Sequence, residues 1–202
     1  RVTEISLAEQ ALGQFDDGKI LAAAELLADA QVDVIGWSGT AAGWMGFDAD
    51  RLLCERIRAR TGIPATTAVL ALNELLALKR VERLALVTPY TRDVQQKIVD
   101  NYRNNGVEIV AERHLGICVN HDFALVEPAQ LSAMIREVAA ASPQAITTFC
   151  TNLRAAQLAS SVEGELDIAL LDTVSTTVWG MLRAAGVSPA QIRGWGRLFA
   201  WA

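Results

Sequence analysis

The run Val34-Ile35-Gly36-Trp37-Ser38-Gly39-Thr40 begins apolar and β-branched and ends in small hydroxylated residues, the form of a buried strand that empties into a turn. Shifted by 111 positions it falls on Ala145-Ile146-Thr147-Thr148-Phe149-Cys150-Thr151, placing Ile35 on Ile146, Thr40 on Thr151 and Gly39 on Cys150. About 25 residues after each copy comes a strand that runs into a hydroxyl-rich turn, Pro64-Ala65-Thr66-Thr67 in one case and Asp172-Thr173-Val174-Ser175 in the other. Two identities in seven positions carry little alone. The shared order of strand, turn, helix, strand and turn carries more: an α/β fold of two similar parallel-sheet lobes with a cleft between them. Residues 1–82 with 174–202 are expected to form the first lobe, and residues 83–173 the second.

Outward from these runs, short β-branched segments alternate with longer amphipathic ones. Residues 17–30 read as a helix with Ile20, Ala24, Leu27 and Ala28 on one face, and residues 32–37 as a buried strand. A helix over 48–60 stops at Gly62; a short strand after Pro64 precedes a helix over 67–79. Strands are expected at 84–87, 107–111, 145–149 and 168–171, and helices at 92–104, 128–141, 152–160 and 175–185. Cys118, Asn120 and His121 fall in a loop. The chain opens Arg1-Val2-Thr3-Glu4 and reaches a helix before any strand, so the N-terminus is read as incomplete, with one strand missing beside residues 32–37.

Composition removes several function classes. The 202 residues are 51% apolar and 20% charged, enough for one or two packed lobes. Eighteen Lys and Arg against 23 Asp and Glu give a net charge of −5, which leaves no basic excess for phosphates and excludes nucleic acid as a partner. No uncharged apolar run approaches the ~20 residues needed to cross a bilayer, and no signal-peptide pattern opens the chain, so a cytoplasmic protein without a membrane partner is expected. Cys54, Cys118 and Cys150 are odd in number and widely spaced, which argues against a disulfide scaffold. His114 and His121 lack an acidic partner or metal-ligand spacing, so no metal site is expected.

Ligands in open α/β sheets bind at the carboxyl ends of strands, where free N–H groups collect. Three such ends carry polar clusters: Ser38-Gly39-Thr40, Thr88-Pro89-Tyr90-Thr91 and Cys150-Thr151-Asn152. Each hydroxyl taken singly is accounted for as a helix cap; three clusters at one sheet edge, one with a thiol, suit a small carboxylate better. Cys150, at a strand end and the expected start of a helix, is placed in a field that favours thiolate. Cys54, inside a helical run, reads as a small core residue, as does Cys118 in its loop. Trp37, Trp44 and Met45 could supply apolar walls or simply core.

These residues, with Asn120 and the terminal Gly194-Trp195-Gly196-Arg197-Leu198, resemble the maleate isomerase and arylmalonate decarboxylase branch of the aspartate/glutamate racemase superfamily, over essentially the whole chain. The resemblance implies a cofactor-independent enzyme acting on a small dicarboxylate or carbon acid. Cys150 matches the cysteine of the second lobe, which protonates the carbanion in decarboxylases. Gly39 takes the first-lobe cysteine position, as in the decarboxylases. Thr40 and Tyr90 match hydroxyl donors to a substrate carboxylate, helped by backbone N–H groups of Thr40 and Thr151, and Asn120 matches an asparagine that isomerases use on a carboxylate. Ala41 stands where decarboxylases often carry another hydroxyl, and the family's Pro/Ser/Asn-rich carboxylate loop has no counterpart before Arg1. Superfamily members are often dimers or larger, so a homo-oligomer is admitted without a specified interface.

A residue without a side chain can be neither acid nor base, so Gly39 disfavours two-base racemisation. Decarboxylation of a malonate-type substrate, with Cys150 supplying one proton to an enediolate, is the expected chemistry. Maleate cis-trans isomerisation is the alternative, and a dicarboxylate-binding module without catalysis is a third reading.

Overall fold

The computed structural model describes residues 2–9 and 13–201. Helix α1 (Asp17–Asp29) is capped by the Asp16 side chain, which accepts from the Gly18 N–H at 2.6 Å, and leads to strand β1 (Ile35–Trp37). The single-turn helix α2 (Ala42–Met45) and helix α3 (Phe47–Thr61) follow, α3 ending at Gly62 in the left-handed conformation. Strand β2 (Ala65–Thr67) turns directly into helix α4 (Ala68–Leu78), whose first turn is capped by Thr67 Oγ1 accepting from Leu70 N at 3.0 Å. Strand β3 (Arg83–Thr88), helix α5 (Arg92–Asn104), strand β4 (Glu108–His114), the short α6 (Asn120–Phe123) and helix α7 (Pro128–Ala139) come next. Strand β5 (Ala145–Thr148), helix α8 (Ala159–Leu166), strand β6 (Ala169–Asp172) and helix α9 (Thr173–Ala184) complete the regular structure.

All strand pairings among these elements are parallel. β1 and β2 form one sheet, and the other runs β4-β3-β5-β6. β5 and β6 are buried along their whole length and β3 from its second residue, which is why they read as continuous apolar runs rather than alternating ones. The register sets Thr148 beside Asp172 and Thr88 beside His114, so the polar strand ends collect at one edge. Helix α9 leaves β6 but packs on α4, β1 and β2, where Thr176 Oγ1 donates to Ala68 O at 3.1 Å and Trp179 is fully buried. No helix among the described residues is long and apolar enough to cross a membrane.

Five local expectations are corrected. The strand expected at 32–37 is regular only over Ile35–Trp37 and is half-buried beyond Ile35, because β2 is its one partner among the described residues. On α1, Leu27 is 45% exposed, and Ala24 is the residue that anchors the helix. β4 runs on to His114 because β3 offers it a partner through Thr88. The expected loop at 118–121 is pinned by an antiparallel bridge between Glu4 and Val119 and then turns into α6. Finally, the α-helix expected over 152–160 does not begin until Ala159. Leu153 N bonds back to Cys150 O and the Asn152 amide reaches Asn120 O, so the chain turns tightly, buries Leu153 and Ala155, and enters α8 only at Ala159.

The tail motif has a structural explanation. Glu163, 4% exposed on α8, accepts from Leu170 N at 2.9 Å and from Arg197 N at 2.8 Å. Arg197 returns its guanidinium to Glu163 O and to Asp167 Oδ1, which seats Leu198 and Phe199 in the core. Replacing Glu163 by Ala leaves two N–H groups without an acceptor, a loss of roughly 2–4 kcal/mol. Thermal denaturation should show the midpoint lowered by about 5–12 °C, with Glu163→Gln, which keeps an acceptor oxygen, less affected. An unchanged midpoint in Glu163→Ala would show that the clamp does not hold the tail.

Candidate active site

At the carboxyl edge of the strands lies a cavity of about 170 Å³. The turns after β1, β3 and β5 deliver Ser38 to Ala41, Tyr90, and Cys150 to Asn152 to its wall. Trp37 and Trp44 add aromatic surface; Val2, Ile5 and Phe15 close it from the N-terminal segment, which the hydrogen bonds from Ile5 N to Cys118 O and from Asn120 N to Thr3 O hold in place. Among the described residues, no Asp, Glu, Lys, Arg or His lines this cavity. Its titratable groups are Tyr90 and Cys150.

These two are joined. Thr40 Oγ1 and Tyr90 Oη are 2.7 Å apart, and the Tyr90 hydroxyl is also hydrogen-bonded to the Cys150 thiol. A phenol has one hydrogen, so in this chain of three, when Tyr90 donates to sulfur it accepts from Thr40, and when the protonated thiol donates to Tyr90 the phenol is free to donate to Thr40. Tyr90 is held edge-on by Trp44 and Phe123, with ring centroids at 5.2 and 5.6 Å. Its backbone is fixed as well: Gly116 N donates to Tyr90 O at 3.0 Å and Ile117 N to Pro89 O at 2.8 Å. All three members of the chain are buried.

Burial decides the protonation state of the thiol. It lifts Cys150 to about 11 from an ordinary 9.0; the Tyr90 hydroxyl and the N–H groups of Asn152 and Leu153 pull down, and the nearby Asp172 carboxyl pushes further up. Burial likewise raises Tyr90 well above its usual value. The expected helix field that favours thiolate is absent, because the residues after Cys150 form a turn. At neutral pH the group is a protonated thiol, an acid in waiting rather than a standing nucleophile.

The structure brings all six sequence-predicted residues, Gly39, Thr40, Tyr90, Asn120, Cys150 and Thr151, to this one cavity. Their side chains are not all free. Thr151 Oγ1 donates to Ser38 O at 3.1 Å and so ties the two repeated turns together, and Asn120 Nδ2 donates to Val2 O at 3.3 Å. The position of Gly39 is crowded rather than vacant: a Cβ there would lie 2.5 Å from Trp37 Nε1. His114 has the acidic partner that sequence did not reveal: its Nδ1 is 3.0 Å from Glu112 Oε2, which also accepts from Gln95 Nε2. Gln95 in turn accepts from Thr88 Oγ1 at 2.6 Å, so this network backs the Tyr90 turn from outside the cavity. Ser38 and Asn152 belong to the polar strand-end clusters read from the sequence, whereas Val2, Ile5 and Phe15 reach the wall through long-range packing that carries no local signal.

The family model described as arylmalonate decarboxylase matches residues 6–199. Maleate isomerase from Pseudomonas putida is 26% identical over 170 residues, which span 81% of this chain and 68% of that protein. Arylmalonate decarboxylase from Bordetella bronchiseptica is 29% identical over 170 residues, 82% of this chain and 70% of that one. In three dimensions, the crystal structure of a cysteine-to-alanine variant of maleate isomerase from Pseudomonas putida, with maleate, covers 100% of this chain and 82% of its own, at 27% identity and a TM-score of 0.90.

The protonation state of Cys150 is open to direct measurement in a variant that keeps Cys150 and has Cys54 and Cys118 replaced by Ala. Its rate of alkylation by iodoacetamide should stay flat through about pH 9 and rise only as the pH approaches 11. In Tyr90→Phe, which removes a donor to the thiolate, the rise should move to still higher pH. A half-rise at or below the ordinary value of 9.0 would contradict the assignment.

Proposed function

The chain belongs to the arylmalonate decarboxylase family, and from that premise we propose that it is a cofactor-independent decarboxylase of a small 2-substituted malonate, with Cys150 as the proton donor. Its relatives include both decarboxylases and isomerases, so the choice between these reactions rests on the site itself. The observation that carries the reading is the pairing of one buried, protonated thiol with Gly39 in a cavity that no charged side chain lines among the described residues.

A malonate entering as a dianion meets no cation among the described lining residues. N–H and O–H donors can hold one carboxylate: the backbone N–H groups of Thr40 and Thr151, and the Thr40 and Tyr90 hydroxyls once the substrate takes the place of their bonds to one another and to the thiol. The other carboxylate is left against Trp37, Trp44 and Ile5, where its hydration is lost and not replaced. Loss of CO2 relieves that cost, since a charged group leaves as a neutral one. The breaking carbon–carbon bond delivers its electron pair to the retained carboxylate, which becomes an enediolate held by the same donors. Cys150 Sγ–H then gives its proton to the α-carbon, and the thiolate is reprotonated from solvent. A thiol held at about 11 suits this role, because it is fully protonated before each turnover.

Maleate isomerisation remains the second reading, supported by Asn120 at the cavity wall. It asks Cys150 to attack an alkene as thiolate, the form that burial disfavours.

Incubation with phenylmalonate or methylmalonate should release CO2 and the corresponding monocarboxylate, while maleate should give no fumarate. Cys150→Ala should lower turnover by about 10²–10⁴-fold, and Tyr90→Phe by about 10²–10³-fold. Fumarate from maleate without CO2 from any malonate would establish the isomerase instead. Binding of malonates with no product of either kind would identify a binding module.

A further inference from the structure

The indole of Trp37 lies in the space that any side chain at position 39 would need. A Cβ built on Gly39 would sit 2.5 Å from Trp37 Nε1, 2.6 Å from Cε2 and 2.9 Å from Cζ2, separations that bonded geometry does not allow between non-bonded atoms. Here the obstacle is a rigid bicyclic ring and not the tip of a flexible chain, so relief requires the whole indole to move. Trp37 is also the shared wall of neighbouring spaces. On one side it lines the 170 Å³ cavity with Cys150. On the other it lines an apolar recess of about 280 Å³ with Ile20, Ala24, Ile35 and Ile57.

We propose that Trp37 is the specificity-determining residue of this site: it packs over Gly39, keeps the first-lobe wall free of any acid or base, and limits the malonate substituent to a small one. This rests on the decarboxylase reading for its substrate class, whereas the packing of residues 37 and 39 does not. The cavity is well below the ~300–1,000 Å³ typical of sites for drug-sized ligands. Enlargement toward the 280 Å³ recess runs past the indole. Gly39 and Trp37 thus act as one unit, in which a side chain can stand at 39 only if the large ring at 37 is gone.

Two measurements test this. The first is a thermal-stability cycle over Gly39→Ala, Trp37→Ala and the double variant. Gly39→Ala alone should lower the midpoint by roughly 3–10 °C, as overpacking does, and should cost nothing further once Trp37 is already Ala. Equal losses from Gly39→Ala in both backgrounds would overturn the coupling, whatever the enzyme's activity. The second is kcat/KM for methylmalonate and phenylmalonate in the wild type, Trp37→Leu and Trp37→Ala. The ratio of phenyl to methyl should rise by about tenfold or more as the ring is trimmed, an effect a general loss of stability would not produce because it would lower both substrates together. An unchanged or falling ratio in variants that still turn over methylmalonate would overturn the specificity role. If the wild type releases CO2 from neither malonate, the decarboxylase reading fails and the specificity role with it, while the stability cycle still decides the packing.

Discussion

The hydrogen-bonded chain from Thr40 through Tyr90 to Cys150 is the constraint around which the molecule is organised. It joins the turn after β1 to the turns after β3 and β5, so it exists only if both sheets are placed correctly with respect to one another. Its members are buried, and a buried hydroxyl or thiol without a partner would cost free energy on each side. The aromatic clamp of Trp44 and Phe123 on Tyr90 keeps the phenol from swinging out of line. The same burial that makes the chain stable also sets its chemistry, since it is the largest cause of the rise that keeps Cys150 protonated.

A second buried acid supports that state. Asp172 caps α9 through Val174 N and Ser175 N and accepts from Thr148 Oγ1 at 2.9 Å, yet burial holds its carboxyl up near 6. It stands at the end of β6, beside β5, the strand that leads to Cys150, and its charge when present discourages thiolate. The acid role of Cys150 therefore draws on three sources: lack of water, a nearby carboxylate, and the absence of a helix N-terminus behind it.

Much of this was legible in the sequence because it is local. The repeated strand ends, the hydroxyls at 40 and 90, the thiol at 150 and the glycine at 39 can be read from short runs, and the parallel order follows from helices alternating with buried strands. The misreadings share one cause, which is that tertiary contacts override local pattern. The amphipathic run at 152–160 is helix-like in sequence, but Asn152 is drawn to Asn120 O and the chain turns instead. His114 finds Glu112 because alternate residues of one strand share a face. Most informative is position 39. Sequence shows only that a side chain is missing there, while the structure shows that Trp37, two residues earlier, has taken its space.

The mechanism requires a single proton, delivered from one side, by one sulfur. Turnover of 2-ethyl-2-methylmalonate in D2O reads this directly. One enantiomer of 2-methylbutanoate should form with one deuterium at the α-carbon, and that product, kept with the enzyme, should not lose its chirality. A racemic product, or progressive loss of its chirality, would mean that a second acid or base reaches the opposite face of the substrate and would contradict a lone donor at Cys150.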